Sequence, residues 1–271
     1  MTLPSIGLTS WRLPGLVTGA PSLAASVGAA SLQVDYGGVG RNHELRSKSA
    51  MILQLRREAS NANIPITTVA LNGLNDIGVP SSREEDTRQR NELFAQGLAA
   101  ALELGADTLL VPAFRRSAMN SDIDVERTAA FLRQAAALAS DHGLTIAHEN
   151  VLRPPPLRSL LDAVPASNLT ILFDIGNLIE HGTDPVEYLN CVSARLHPEA
   201  HLKDFQKPPA GSVMLGQGTA PLTRTVAQLI ATGHLHTFVI ETDHRKSATS
   251  CIEADVSWLR NLLTEQCKGK Q

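Results

Sequence analysis

Four side chains able to hold a metal ion stand at the ends of four apolar runs: Glu149 in LTIAHEN, Asp174 in LTILFDIGN, His201 in HLKDF and Glu241 in HTFVIETD. Three carboxylates and one imidazole form a hard, mainly oxygen donor set. Such a set suits Mn²⁺, Mg²⁺ or Co²⁺ better than a structural Zn²⁺, which favours thiolates. One divalent ion is therefore the expected cofactor, Mn²⁺ first, with Mg²⁺, Co²⁺ or Zn²⁺ able to replace it. HLKDF adds a second signal, because alternation along a strand puts His201 and Lys203 on one face and Leu202 and Asp204 on the other. A basic pair on a buried face is costly unless an anion or a metal meets it. His201 as a ligand removes the difficulty. Lys203 then either steers a hydroxyl, carboxylate or phosphate of a substrate or pairs with a neighbouring carboxylate, and Asp204 is left for packing or for the loop that follows.

Each of these residues also has a plainer reading. A single strand-end histidine is more often a hydrogen-bonded core residue than a ligand, and a carboxylate at a strand-to-helix junction is often the N-cap of the next helix, which is the rival reading of Asp174 and Glu241. Glu149, between His148 and Asn150, can be a solvated loop residue. The joint arrangement decides for a metal. Consecutive parallel strands lie about 4.8 Å apart, so four such ends along an arc can converge on one ion.

The elements that would position them follow a recurring unit: a helical run rich in Ala or Leu, a glycine, then a short apolar strand. It appears as SVGAASLQVD (26–35), ELGADTLLVP (103–112), DHGLTIAHE (141–149) and ATGHLHTFVIE (231–241). Glycine just past a helix end supplies the left-handed backbone there, and continuous apolar strands are those of a parallel sheet buried on both faces. Between the strands, Ser82 with Glu85 suggests a capping box, and Asp184 followed by Pro185 suggests an N-cap and first turn. Eight strands are expected, near 5–9, 31–35, 64–71, 107–112, 144–149, 169–174, 199–203 and 237–241. Their alternation with helices favours one closed (β/α)₈ barrel over residues 1–271, in which functional groups gather at the C-terminal ends of the strands. The loops at 154–156 and 206–218 are rich in Pro and Gly and read as rims or lids.

Bulk properties exclude several functions. With 24 basic and 27 acidic residues the formal charge is −3, which leaves no electrostatic footprint for nucleic acid. Three cysteines, Cys191, Cys251 and Cys267, lack any C-x-x-C spacing, so neither a disulfide framework nor a cysteine zinc site is expected. No apolar stretch reaches the ~18 residues of a membrane helix, and a cytoplasmic setting is expected. The glycines of YGGVGRN (36–42) lack the dinucleotide and P-loop patterns, and no G-x-S-x-G elbow is present. His142, His181 and His197 read as solvated helix-end or turn residues.

The order of these motifs resembles the xylose isomerase-like TIM-barrel superfamily: a strand-five Glu149, D-x-G-N from Asp174 to Asn177, H-x-K-D from His201 to Asp204, LGQG at 215–218 and a strand-eight Glu241. The resemblance is firm over about residues 140 to 260. It implies that Glu149, Asp174, His201 and Glu241 hold one divalent ion, and that Glu149 and Glu241 are also acid and base on opposite faces of a substrate. The implied activity is isomerisation or epimerisation of a small sugar, sugar phosphate or related hydroxy-carbonyl compound through an enediolate. The implied partner is thus a small carbohydrate, in a family whose members are often dimers or tetramers. Many relatives carry His where this chain has Asn177, whose amide is left to bind substrate or orient Asp174. Dehydration is the alternative, since it begins with the same deprotonation. A metabolite-binding barrel without turnover and a DNA-acting endonuclease are weaker alternatives, the latter because the histidines of a three-metal cluster are missing.

Overall fold

The computed structural model describes residues 3–37, 44–47, 49–206 and 211–268. Most of the YGGVGRN loop, from 38 onward, lies outside the described residues. The chain runs through β1 (Ser5–Thr9), β2 (Ser31–Asp35), β3 (Ile66–Ala70), β4 (Thr108–Pro112), β5 (Thr145–Glu149), β6 (Leu169–Asp174) and β7 (Leu196–Leu202). A small antiparallel hairpin, β8 (Asp204–Gln206) with β9 (Gly211–Val213), comes next, and then β10 (Thr237–Ile240). All but the hairpin close into one parallel barrel in the order β1-β10-β7-β6-β5-β4-β3-β2. The expected (β/α)₈ architecture is present, and the hairpin lies in the Pro- and Gly-rich segment read as a rim or lid.

Local chemistry explains most boundaries. The helix Glu84–Leu104 ends at Gly105 with φ 73°, and Gly143 turns into β5 with φ 72°, both in the left-handed region that costs glycine nothing. Asp184 caps the helix Pro185–Val192 by accepting from the N–H groups of Val186 and Glu187. The capping box expected at Ser82 and Glu85 does not form. That helix starts at Glu84, its N-cap Arg83 makes no side-chain cap, and the start is instead tied down by Asp86, which accepts from Ser81 at 2.6 Å and from Arg116 at 2.9 Å. A tertiary anchor replaces the local one.

Alternation along the strands sorts two cores. Outward side chains such as Val69, Leu109, Val111, Ile146 and Phe173 pack against the helices in the main apolar layer. Inward side chains Ala70, Leu110, Ala147 and Leu172, with Trp11, form a separate apolar plug inside the barrel. Glu149 and Asp174 share the parity of Ala147 and Leu172, so they face inward one step nearer the C-terminal rim. Cys191 and Cys251 are free thiols. Among the described residues, no helix is long and apolar enough to cross a membrane.

Candidate active site

β5, β6, β7 and β10 are neighbours in the barrel, so their C-terminal ends form one arc. Asp174 on β6 and His201 on β7 are register partners, while Glu149 ends β5 and Glu241 follows β10. Ligand atoms of Glu149, Asp174, His201 and Glu241 all lie within 4.8 Å of one another. All four side chains are buried, so the solvated-loop reading of Glu149 fails. Asp174 also caps the helix Ile175–Glu180 through Asn177 N–H at 3.0 Å. The cap uses Oδ1, and Oδ2 still faces the cluster.

The imidazole supplies the test of whether a cation fits. His201 Nε2 bonds Gln33 Oε1 at 2.8 Å, whereas Nδ1 is buried without a hydrogen-bond partner. That Nδ1 stands 3.9 Å from both Asp174 Oδ2 and Glu241 Oε2. An ion held at about 2.1 Å by each donor would space them about 3–4 Å apart. Two carboxylate oxygens at that spacing from an otherwise orphaned imidazole nitrogen fit a divalent cation.

The cluster is electrostatically uneven. Lys203 Nζ donates to Asp174 Oδ2 at 2.8 Å and to Glu241 Oε2 at 3.0 Å. Its stem lies against Gly176, where a Cβ would collide with it, which gives the glycine of D-x-G-N a steric reason. Glu241 Oε1 accepts from Trp11 Nε1 at 2.8 Å and from Arg12 Nε at 3.4 Å. Burial pushes the Glu241 carboxyl up, but Lys203, then Arg12, His201 and Trp11 outweigh it and hold the group well below the usual carboxylate range. Glu149 accepts only from Asn177 Nδ2, at 2.6 Å, among these donors. Burial, then the charges of Asp174 and Glu241, push its carboxyl well above the usual range. For Lys203, burial is overcome by Asp174, Glu241 and Glu149, and the ammonium is stabilised. One glutamate is thus kept ionised and the other is biased toward its acid form.

Beside the cluster opens a cavity of about 490 Å³ whose lining includes Arg12, Asn177, Lys203, Ser212, Thr219 and Glu241. Asp204 holds its outer wall in place. This carboxylate accepts from the N–H groups of Phe205 (2.9 Å), Gly216 (3.0 Å), Gly218 (2.9 Å) and Ala220 (3.1 Å), and a Cβ at Gly218 would strike it. The LGQG motif is therefore a backbone wrapped around Asp204, the supporting role that alternation left to this residue.

Sequence reasoning missed Trp11, Arg12, Gln33 and Glu199. It also misplaced His197, which is buried on the inward face of β7 and bonds Thr170 at 2.9 Å. Carrying the alternation back from His201 through HPEAHLK would have aligned His197, Glu199, His201 and Lys203. Pro198 hid that strand, since it donates nothing to a ladder, and the β6–β7 register shifts there. His142 and His181 are exposed as expected.

Known proteins share this frame. A D-tagatose 3-epimerase-like protein matches with TM-score 0.79 at 17% identity, covering 98% of this chain and 100% of that one. A structure described as the IOLI protein with a binding zinc atom matches with TM-score 0.74 at 13% identity, covering 97% of each chain. At those identities the likeness speaks for the fold alone. In sequence, the 2-epi-5-epi-valiolone 7-phosphate 2-epimerase of Actinoplanes sp. (strain ATCC 31044 / CBS 674.73 / SE50/110) is 35% identical over 98% of both chains. The model of the xylose isomerase-like TIM barrel matches residues 21–262. Since that match takes in every barrel strand but β1, and the relative spans nearly the whole length, this chain belongs to the xylose isomerase-like TIM-barrel family.

Proposed function

We propose that this protein is a divalent-metal-dependent epimerase of a small phosphorylated hydroxy-ketone, of the sugar phosphate or cyclitol phosphate class. The observation that carries the reading is the convergence of two glutamates, Glu149 and Glu241, with Asp174 and His201 on one buried cluster beside a 490 Å³ cavity. The name of the 35% identical relative supports the phosphorylated cyclitol class.

Epimerisation next to a carbonyl needs a base to remove the proton, an acid to return one on the opposite face, and a cation near the carbonyl oxygen. Glu149, Asp174, His201 and Glu241 would hold the cation, which when bound supplies Lewis acidity worth several kcal/mol to the enediolate. Glu241, hydrogen-bonded by Lys203, Arg12 and Trp11, and Glu149, hydrogen-bonded by Asn177, are the carboxylate pair that removes and returns the proton. In the reverse direction the roles exchange. Lys203 and Asn177 line the cavity beside them and bind the substrate's oxygen atoms, Lys203 as a charged donor and Asn177 as a neutral one that also orients Glu149. The apolar plug, with Trp11, fills the barrel interior below the cluster, and the cavity lies beside it.

The test is turnover of 2-epi-5-epi-valiolone 7-phosphate and related ketose phosphates in D₂O with Mn²⁺ present. The expected product is the substrate's epimer with one deuterium in place of the hydrogen at the epimerised carbon, and Glu149→Gln and Glu241→Gln each lower the rate by about 10²-fold or more. A product lighter by one water would replace the epimerase with a dehydratase. Turnover surviving in both variants would remove the two-glutamate mechanism.

A further inference from the structure

Below the cluster a second set of buried polar groups crosses the barrel. Gln33 on β2 and Glu199 on β7 belong to strands that are not neighbours, and their side chains meet in the interior with Gln33 Nε2 donating to Glu199 Oε2 at 2.7 Å. Thr68 on β3 donates to the same oxygen at 3.1 Å. The other end of the Gln33 amide faces His201, with Oε1 2.8 Å from Nε2. Gln33, Thr68 and His201 are fully buried and Glu199 is 7% exposed. Burying a carboxylate in a barrel costs several kcal/mol unless it is well paired, so its retention there calls for a use.

We infer that Glu199 and Gln33 lock the tautomer of His201. A carboxylate can only accept, so it draws the amide nitrogen of Gln33 toward itself and turns the amide oxygen toward the imidazole. An oxygen at that position can only accept as well, and the His201 proton must sit on Nε2. Nδ1 is thereby left as a bare lone pair, aimed at Asp174 and Glu241. With the amide reversed, its nitrogen would face Nε2, the proton would move to Nδ1, and the imidazole could no longer act as a ligand. Glu199 and Gln33 are positioning residues, acting through His201 and touching neither metal nor substrate.

The inference rests on the metal-site reading above, yet half of its test needs no metal. In metal-free protein carrying ¹⁵N-labelled histidine, long-range ¹H–¹⁵N correlation should show His201 as the Nε2–H tautomer. Glu199→Gln preserves size but lets the Gln33 amide turn either way, and should yield a measurable Nδ1–H fraction. Gln33→Met removes the acceptor and should do the same, which keeps the test decisive if one variant folds poorly. Calorimetric titration with Mn²⁺ should show affinity falling by about 10–100-fold in each variant. A merely structural Glu199 would shift the melting temperature and leave the proton on Nε2. An Nδ1–H tautomer in the wild type, or a purely Nε2–H ring in both variants, would overturn the lock. Absence of Mn²⁺ binding to a wild type with the Nε2–H tautomer would instead sink the metal-site reading and leave the tautomer assignment standing.

Discussion

His197 makes acid sensitivity calculable. It is buried inside the barrel, where Nδ1 lies 2.9 Å from the Thr170 hydroxyl and Nε2 lies 4.0 Å from Glu199 without a hydrogen-bond partner. Burial, with a smaller contribution from the charge of His201, pulls its pKa from 6.5 to about 3. The folded protein therefore keeps this ring neutral while the unfolded chain takes up a proton below about pH 6.5. Stability from this residue is full above that pH and declines as pH falls toward 3, by about 1.4 kcal/mol per unit. Between pH 7.5 and pH 5.0 the loss is about 2 kcal/mol. In His197→Asn the amide nitrogen can still donate to Thr170, and the titrating ring is gone. Urea unfolding of both proteins at the two pH values isolates the difference, because every other histidine is common to both. The variant will have lower absolute stability, but its loss on acidification should be smaller by about 2 kcal/mol. Equal losses would mean that Glu199 captures the protonated ring as an ion pair, and would refute the burial argument.

Two further perturbations read other parts of the site. Asp204→Asn converts one of two acceptor oxygens into a donor, so two of the four backbone N–H groups it gathers lose their partner, at roughly 1.5–3 kcal/mol each before the loop relaxes. Amide exchange at residues 215–220 should quicken by about tenfold or more with the barrel strands unaffected, and unchanged exchange would show that the wall stands without Asp204. Lys203→Met removes the ammonium that bridges Asp174 and Glu241, which should destabilise the metal-free protein by about 3–5 kcal/mol. Added Mn²⁺ should then raise the variant's melting temperature more than the wild type's, whereas equal shifts would show that Lys203 does not share the cation's electrostatic role.

The barrel was legible because its signals are local. Helix, glycine and apolar strand recur within about ten residues, and glycines such as Gly105 and Gly143 turn where their positions suggest. Strand ends were legible for the same reason, and Glu149, Asp174, His201 and Glu241 could be read without knowing which strands touch. The supporting residues were not. Trp11 reaches Glu241 across 230 positions and Gln33 reaches Glu199 across 166, contacts that exist only once the barrel closes. In SLQVD the polar Ser31, Gln33 and Asp35 alternate with Leu32 and Val34 of the outer layer, so a polar inward face was visible there, but its partners on β3 and β7 were not. The capping box failed in the opposite direction. The local pattern at Ser82 was sound, but the bond of Asp86 to Arg116 set the helix start instead. His197 was lost because Pro198 reads as a break, while a register shift lets β7 continue through it.

Metal stoichiometry tests the central claim most directly. Protein stripped with chelator, reloaded with Mn²⁺ and freed of excess should carry about one ion per chain by elemental mass spectrometry, and His201→Ala should carry almost none while retaining the helix and strand content of the wild type. A wild type that binds no ion after reloading, or a His201→Ala variant that binds as many, would contradict the assignment of Glu149, Asp174, His201 and Glu241 as a metal centre.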